Sequence, residues 1–263
     1  MIKLNGNVIT QDNFPDGTLL MKILTSTEHN NLIEWKYEND AELFTLICLK
    51  RYIDDNNADT ACYLHMYYLP HARQDRVKNQ EDVFTLKYFC EIINSLKFNG
   101  VTVKDVHSNV SLALLDRVAN ISAKWHIIDA IDLIPDENKL ILFYPDEGAV
   151  KRYSDNFIIP YAFGIKKRNW ETGAIEGLEL AGSVDQIAGS DILIIDDICS
   201  RGGTFYHSAK ALKEAGAANI YLYVTHCENT IHEGELLKNN GLIERIYTTN
   251  SLITKYHDKI TIV

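Results

Sequence analysis

The sequence lacks the features of a membrane or secreted protein. No apolar run approaches the roughly 20 residues that a helix needs to cross a bilayer. The amino end, MIKLNGNVITQDN, has no basic-then-apolar leader pattern. Cysteine is scattered and forms no CxxC pair, so neither a disulfide framework nor a zinc site is indicated and we expect a reducing, cytoplasmic location. The cysteines are Cys48, Cys62, Cys90, Cys199 and Cys227.

An excess of basic charge is also absent. The formal net charge is -10, which argues against non-specific binding to nucleic acid or an anionic membrane, because both favour a basic surface. The basic residues nevertheless gather in HARQDR (71–76), AVKRY (149–153) and GIKKRN (164–169). Any one such run is more often a solvated surface. Together they are consistent with binding of a small polyanion, so we expect small-molecule substrates.

Short apolar segments alternate with longer amphipathic ones along most of the chain. Runs rich in Ile, Leu, Val and Tyr predict strands, and apolar residues at helical spacing predict helices. The polar segment 164–182 has four glycines and no clear period, which predicts a mobile loop or an irregular hairpin. The predicted strands are 61–69, 100–106, 125–131, 139–145, 191–196 and 219–226, and the predicted helices are 39–53, 81–97, 204–215 and 230–240.

This alternation predicts an α/β protein with mostly parallel sheets flanked by helices. A length of 263 residues is enough for two such domains. We expect an N-terminal domain over 1–132 and a C-terminal domain over 133–250. The tail 251–263 contains the run KITIV, which is expected to return as a strand to one of the two domains.

The segment DILIIDDICSRGGTF (191–205) ends an apolar run in Asp196 and Asp197 and continues into a loop with Gly202 and Gly203. Ligands of open α/β sheets bind outside the carboxyl ends of the strands. Paired glycines let backbone N–H groups approach an anion, and a helix that follows adds its positive end. Carboxylates suit hydroxyls or a metal ion, so the segment predicts a sugar-phosphate site. The glycines alone equally suit an ordinary turn, and an Asp at a strand end often caps a helix.

The run from Asp196 to Thr204 resembles the phosphoribosyl diphosphate (PRPP) binding motif of type I phosphoribosyltransferases. Three further segments are similar to motifs of ribose-phosphate diphosphokinases, also called PRPP synthetases: LPHARQDRV (69–77), VTVKDVHS (101–108) and YPDEGAVKRYSD (144–155). Ordinary phosphoribosyltransferases share the sugar-phosphate loop but not ARQDR plus D-x-H. The four motifs occur in the order of the PRPP synthetase family, so the resemblance is to that family and its phosphoribosyltransferase-like fold.

The resemblance implies two phosphoribosyltransferase-like domains, an oligomer of identical chains (a dimer or higher), and Mg²⁺ with ATP as co-substrate. It implies transfer of the β,γ-diphosphoryl group of ATP to the anomeric hydroxyl of ribose 5-phosphate, which gives PRPP and AMP. The matching residues here are Phe14, Arg73, Gln74, Asp75 and Arg76 for ATP, His107 and Asp146 for the metal, Lys166, Arg168 and His107 for catalysis, and Asp196, Asp197, Ser200, Arg201, Gly202, Gly203 and Thr204 for the ribose phosphate.

These residue types also suit the reaction on physical grounds. Diphosphoryl transfer needs an in-line hydroxyl, neutralised phosphoryl charge and exclusion of water. Mg²⁺ takes few protein ligands and relies on substrate phosphates, so one Asp and one His suffice. Two flexible cations, Lys166 and Arg168, would stabilise the transition state and hinder hydrolysis of ATP. A lone His is more often structural, so His107 is assigned only because of the motifs around it.

Two positions depart from the family pattern. Thr18 stands where an acidic residue is common near the adenine contact, which weakens the assignment of Phe14 in FPDG (14–17). Ser200-Arg201 replaces the usual Asp-Thr and makes the 5-phosphate pocket more positive, and Arg suits bidentate contact with phosphate oxygens. Either one phosphate is held more tightly, or the pocket accepts a 5-diphosphate such as ADP-ribose, which would move the pathway towards NAD chemistry.

Two other functions stay open at this point. A phosphoribosyltransferase would use the same loop to consume PRPP, but ARQDR and D-x-H argue against it. A non-catalytic regulatory homologue would restrain active partners, but the retained Lys166, Arg168, His107 and Asp146 argue against it. Formation of AMP from ATP without an added base would exclude both.

Overall fold

The protein is described by a computed structural model that covers residues 1–56, 59–135, 137–168, 175–238 and 241–263. The side chains of 166–168 and 175–177 lie outside this description. The chain divides into two compact units, Met1–Ser122 and Ala123–Val263. A boundary near 132 was expected. The helix that precedes that position, Lys124–Asp132, packs its apolar side chains into the second unit.

The first unit contains a sheet whose central strands are parallel. Strands β5 to β8 run parallel in sequential order, and β1 and β2 extend the sheet on one side with antiparallel pairing. Strands β3 and β4 form a separate hairpin. The elements are β1 (Ile2–Leu4), β2 (Asn7–Val8), β3 (Gln11–Asn13), β4 (Leu19–Met21), β5 (Asn30–Trp35), α1 (Ala41–Asn56), β6 (Ala61–Met66), α2 (Thr85–Ser95), β7 (Gly100–Lys104), α3 (Val110–Leu114) and β8 (Val118–Ile121).

The core of the first unit lies between this sheet and its helices. Ile33, Leu64 and Val103 come from adjacent strands and are fully buried. They share one apolar cluster with Leu46 of α1 and Phe89 of α2. Because alternate residues of a strand point to opposite faces, these helices cover the face on which the three strand residues lie.

The second unit is built on a seven-stranded sheet in the order β11-β10-β9-β12-β13-β14-β15. All neighbours are parallel except β10 and β11. Three short 3₁₀ segments, Ser154–Asn156, Val184–Gln186 and Asn229–Glu233, lie between the main elements. The main elements of the second unit are α4 (Lys124–Asp132), β9 (Leu140–Tyr144), α5 (Glu147–Tyr153), β10 (Tyr161–Arg168), β11 (Ile175–Gly182), β12 (Asp191–Cys199), α6 (Gly203–Glu214), β13 (Ile220–Cys227), β14 (Arg245–Thr248) and β15 (Ile260–Ile262).

Helices cover both faces of the second sheet. Ile194 of β12 packs in a cluster with Phe205 of α6. Ile195, the next residue, packs in another cluster with Ile127 of α4 and Tyr153 of α5. Burial on both faces explains why β12 reads as a continuous apolar run rather than an alternating one. The predicted α/β class, with mostly parallel sheets flanked by helices, is confirmed.

Side chains join neighbouring strands at the amino edge of this sheet. Asp191 begins β12 and is buried. Its Oδ1 accepts hydrogen bonds from Nδ2 of Asn138 (3.1 Å) and from Nδ2 of Asn219 (2.9 Å). Asn138 lies just before β9 and Asn219 just before β13, so one carboxylate links the amino ends of three adjacent strands.

Two of the predicted elements are wrong. The run 125–131 was predicted as a strand but lies in α4, where Ile127 and Ala130 are buried at helical spacing. The run 230–240 was predicted as a helix, but Asn229–Glu233 is a 3₁₀ turn, and the described residues after it form turns. Gly234 explains this difference, because its Cα packs so closely on the carbonyl of Arg201 that a side chain there would overlap it.

The remaining predicted strands and helices are confirmed within a few residues. Two alternatives were predicted for the segment 164–182, a mobile loop and an irregular hairpin. Its described residues pair as an irregular antiparallel hairpin, with a shift of register between Lys167 and Arg168. Residues 169–174 lie outside the described ranges. The run KITIV supplies β15, which pairs with β14 in the second unit. No helix in the described ranges is long and apolar enough to cross a bilayer.

Candidate active site

The acidic pair lies near the carboxyl end of β12, and its two members have different surroundings. Asp196 is half-buried, and its Oδ1 accepts a hydrogen bond from the Asp197 backbone N–H at 2.9 Å. Asp197 is buried, and its Oδ1 lies 2.8 Å from Nη1 of Arg152 in α5. The two carboxylates are therefore not interchangeable, although they are adjacent in the sequence.

The pKa of Asp196 lies well above the usual range for an aspartate. Burial is the largest cause, and repulsion from Asp197 and the charge of Asp146 add to it. Asp146 follows β9, the parallel neighbour of β12, so these carboxylates share the carboxyl edge of the sheet. Asp196 consequently holds a proton to higher pH than an exposed aspartate does.

The loop after β12 turns into a helix at a single left-handed residue. Gly202 has φ of +76° and forms the N-cap of α6. A side chain there would overlap Leu236, whereas no atom lies within 4 Å of the Cβ position at Gly203. The first backbone N–H groups of α6 have no partner within the helix, and they open towards the loop. The predicted helix start is confirmed, and only the first glycine is required by geometry.

Arg201 does not stand alone in this loop. Its Nε and Nη2 donate to Oε2 of Glu233 at 3.0 and 2.8 Å, and both side chains are exposed. Glu233 belongs to the 3₁₀ turn whose next residue, Gly234, packs on the Arg201 carbonyl. The extra positive charge expected from Arg201 is thus offset by a neighbouring carboxylate.

Two buried thiols lie beneath the loop. Cys199 of β12 and Cys227 of β13 are direct partners in the parallel register. The hydrogen bond with Cys227, together with burial, raises the pKa of Cys199 far above its ordinary value. Cys199 is therefore a neutral thiol that fills space under the loop, and it is not a nucleophile.

Asp146, the predicted metal ligand of the second unit, caps α5. Its Oδ1 accepts hydrogen bonds from the backbone N–H groups of Gly148 (3.0 Å) and Ala149 (3.2 Å). Among the described residues, no three His, Cys, Asp or Glu side chains converge as a metal cage. Mg²⁺ does not require one, because it keeps several waters and binds through one or two carboxylates and substrate phosphates.

The first unit brings two predicted motifs together. Asp75 of the ARQDR segment is buried, and Arg76 donates to its two oxygens from Nε (2.8 Å) and Nη2 (3.2 Å). This bond chiefly lowers the pKa of Asp75, and a hydrogen bond from Ser108 and the nearby His107 add to the effect. The ARQDR loop is therefore anchored beside the D-x-H-S segment.

The other predicted ATP contacts lie on exposed turns of the first unit. Arg73 and Gln74 are exposed, and Gln74 Oε1 accepts a hydrogen bond from Thr85 of α2 at 2.8 Å. Phe14 is 49% exposed in the turn between β3 and β4. Thr18 donates to Asp16 there from its N–H (3.0 Å) and its hydroxyl (2.7 Å), so it stabilises the turn that carries Phe14.

Comparisons with known proteins identify relatives of this chain in sequence and in fold. A ribose-phosphate pyrophosphokinase from Pyrococcus abyssi is 25% identical over 269 residues, which cover 100% of this chain and 90% of the relative. A ribose-phosphate pyrophosphokinase from Marinomonas sp. is 30% identical over 193 residues, or 72% of this chain and 60% of the relative. No protein-family model matches the sequence.

A crystal structure of phosphoribosylpyrophosphate synthetase from Mycobacterium smegmatis matches 97% of this chain and 85% of its own, with a TM-score of 0.79 at 18% identity. The chain is a homologue of ribose-phosphate pyrophosphokinases and has the PRPP synthetase fold. The resemblance drawn from the four motifs is confirmed.

The roles assigned to residues from the PRPP synthetase pattern stay predictions, including those of the proposed catalytic pair. Lys166 and Arg168 occupy β10 near the hairpin turn, but their side chains lie outside the described part of the chain. Their catalytic role therefore stays a prediction.

Two residues at this PRPP synthetase-like edge were not assigned from the sequence. Arg152 was grouped with a basic segment, and Glu233 was not singled out. Arg152 follows Ala149 by three residues on α5, and Ala149 is buried on the face towards β12. Helical spacing from a buried small residue was thus the available signal for Arg152. The Arg201–Glu233 contact joins distant loops, and no local pattern indicates it.

Proposed function

We propose that this chain is an ATP-dependent diphosphokinase acting on ribose 5-phosphate. The observation that carries the proposal is the carboxyl edge of the second sheet, where Asp146, Asp196 and the loop before α6 meet. The sequence relatives named ribose-phosphate pyrophosphokinases support the same activity.

The acceptor is assigned to this edge by its chemistry. Asp196 and Asp197 are assigned to the 2- and 3-hydroxyls of the ribose. Ser200 to Thr204 are assigned to the 5-phosphate, because a left-handed Gly202 and the amino end of α6 supply backbone N–H groups to an anion. A sugar held at both ends has its anomeric hydroxyl fixed relative to the protein, which favours in-line attack.

The ATP side is assigned to the first unit. Arg73, Gln74 and Arg76 lie exposed on one loop, which suits contact with phosphates and the base. Buried Asp75 anchors that loop through its hydrogen bond with Ser108. His107 lies beside it. From the family resemblance we assign His107 of the first unit and Asp146 of the second as ligands of Mg²⁺, an ion that takes few protein ligands. The ion would neutralise phosphoryl charge when bound.

The proposed reaction transfers the β,γ-diphosphoryl group of ATP to the anomeric hydroxyl. The anomeric oxygen forms a bond to the β-phosphorus of ATP while the bond from that phosphorus to the bridging α-oxygen breaks. AMP leaves with the bridging oxygen, the hydroxyl proton is released, and the acceptor becomes PRPP. Lys166 and Arg168 are assigned to the charge on the transferred diphosphoryl group, and exclusion of water protects ATP from hydrolysis.

Phosphorus NMR of the protein with ATP, Mg²⁺ and ribose 5-phosphate tests this proposal. We expect AMP and a new anomeric diphosphate in equal amounts, and neither with the Lys166→Ala variant. The absence of AMP above that variant would contradict catalysis. Consumption of PRPP with an added base, without AMP from ATP, would indicate a phosphoribosyltransferase instead.

ADP-ribose is a second candidate acceptor, and Arg201 is the observation that favours it. The loop carries a guanidinium where the related motif has no cation, and an exposed ion pair such as Arg201–Glu233 is weak enough for a phosphate to replace it. The same NMR experiment with ADP-ribose decides between the two acceptors. Product with ADP-ribose alone would make Arg201 a specificity residue, and product with ribose 5-phosphate alone would make it a local variation.

We also propose that the chain forms a homo-oligomer, as the family resemblance implies. Sedimentation velocity of the purified chain tests this directly. A single species with the mass of one chain, 29.9 kDa, at micromolar concentrations would contradict it.

A further inference from the structure

Asp197 of the acidic pair forms an ion pair with Arg152. Nη1 of Arg152 is 2.8 Å from Oδ1 of Asp197. The Asp197 side chain is 3% exposed and that of Arg152 is 24% exposed. A pair this buried differs from a surface ion pair, because loss of either partner leaves a charge without compensation in a poorly solvated site.

The contact joins two elements that each carry a residue of the site. Asp146 begins α5, and Arg152 lies in its last turn. Asp197 follows Asp196 in β12, and alternation along a strand turns it to the face on which α5 packs. Arg152 therefore ties the end of β12 to the helix that Asp146 caps.

We propose that Arg152 is a positioning residue for the acceptor site, which acts through its ion pair with Asp197. The pair holds the end of β12 against α5 and so fixes the separation between Asp196 and Asp146. This inference rests on the proposed function, because it assumes that the acceptor binds at Asp196.

The electrostatics of the edge explain why such a cation is needed. Three carboxylates, those of Asp146, Asp196 and Asp197, lie close enough for the charges of the other two to raise the pKa of Asp196. Arg152 supplies a compensating positive charge to this group through its ion pair with Asp197. Its Cζ also lies 5.6 Å from the centre of the Tyr153 ring, which limits the directions in which the guanidinium can point.

The test compares Arg152→Gln with Arg245→Gln as a matched control. Arg245 also uses its guanidinium within this sheet, donating from Nη1 to the Asp258 carbonyl (3.2 Å) and to the Thr261 hydroxyl (3.1 Å), but it begins β14 at the amino edge. We expect Arg152→Gln to raise the KM for ribose 5-phosphate at least tenfold while the KM for ATP changes less than twofold. Arg245→Gln should change neither. Equal acceptor KM values for the two variants would overturn the inference.

A double variant separates positioning from direct contact. If Arg152 acts only through Asp197, then Arg152→Gln combined with Asp197→Asn should raise the acceptor KM no more than Asp197→Asn alone. If the two effects multiply, Arg152 contacts the substrate itself and the inference is wrong. Should Arg152→Gln fail to fold, the charge-neutral double variant and Arg152→Lys provide the readout, and Arg152→Lys should fall between wild type and Arg152→Gln.

Measurements on the wild-type chain distinguish a failure of this inference from a failure of the proposed function. A wild type that forms no AMP contradicts the function, and calorimetric binding of ribose 5-phosphate then replaces KM in every comparison. A wild type that works, with Arg152→Gln unaffected, contradicts only the inference. A wild type that neither turns over nor binds ribose 5-phosphate overturns both.

Discussion

Leu236 occupies the space that a side chain at Gly202 would need. A Cβ on residue 202 would overlap Cδ1 of Leu236, which is fully buried. Gly202 also has φ of +76°, a conformation that costs other residues about 1 kcal/mol or more. The shape of the loop before α6 therefore depends on two residues that are 34 positions apart in the numbering.

Gly202→Ala is expected to destabilise the second unit. The left-handed conformation and the overlap with Leu236 together should cost about 1–3 kcal/mol of unfolding free energy. Urea unfolding measures this, and acceptor affinity should fall with it because the loop must move. Gly203→Ala is the control, since it meets no atom and lies in α6, where alanine is preferred. Equal losses of unfolding free energy in Gly202→Ala and Gly203→Ala would contradict this account.

Asp196→Asn is expected to be more stable than the wild type in alkaline solution. Burial and repulsion raise the pKa of Asp196 above its value in the unfolded chain. The folded state is therefore favoured while this carboxyl is protonated, and that stability is lost as the pH rises through the raised folded pKa. Asparagine does not ionise, so the advantage of the variant should grow with pH and vanish below the ordinary aspartate value of 3.8.

Thermal unfolding between pH 4 and pH 9 measures this difference, with about 2–4 °C in Tm expected for each kcal/mol in a chain of this size. Activity should fall in the same variant if Asp196 binds a ribose hydroxyl as proposed. A variant that is less stable at every pH would show that Asp196 is ionised and stabilising.

Glu233→Gln is expected to alter acceptor binding with little effect on stability. The ion pair with Arg201 is exposed, so its loss should change the unfolding free energy by less than about 1 kcal/mol. Arg201 would then carry its charge unopposed within the loop assigned to the 5-phosphate, and the acceptor KM should fall several-fold at low salt. The same change at high salt would argue against an electrostatic cause. Glu235→Gln, an exposed neighbour paired with Lys238, is the control.

Thiol labelling of the native chain is expected to be confined to Cys48. All five cysteines are free, but only Cys48 is not fully buried. Burial raises the pKa of Cys62 and of Cys90 to about 12, so neither offers a thiolate near neutral pH. Mass spectrometry after brief treatment with iodoacetamide should find one label, and all five after denaturation. Early labelling of Cys199 would show that the loop between β12 and α6 opens.

The sequence predicted the local structure around the candidate site best where the signal lay within one short segment. One short segment contains the apolar run of β12, the acids at its end and the glycine before α6. Each of these features predicts local structure for a direct physical reason. The strand predicted over 125–131 failed because a short apolar run does not distinguish a strand from a buried helix. The helix predicted over 230–240 failed because Gly234 must pack on Arg201, and a contact between distant loops overrides local propensity.

The contacts of Arg152 and Glu233 could not be predicted from the sequence, because they also join separate parts of the chain. Each charged residue finds its partner on another element, and charge alone does not say which one. The structure brings Asp75 of ARQDR close to His107 of D-x-H-S, and the roles assigned to both residues from the family resemblance stay predictions.

The hydrogen bonds of Asp191 have a consequence for how this fold tolerates change. They hold three adjacent strands at the amino edge, while every residue assigned to the ribose phosphate lies at the opposite edge. The register of the sheet is thus secured independently of the loops that are assigned to the substrate. A loop such as Ser200-Arg201 is free to diverge in evolution without loosening the scaffold, and new acceptor preferences become accessible through a few substitutions at one edge.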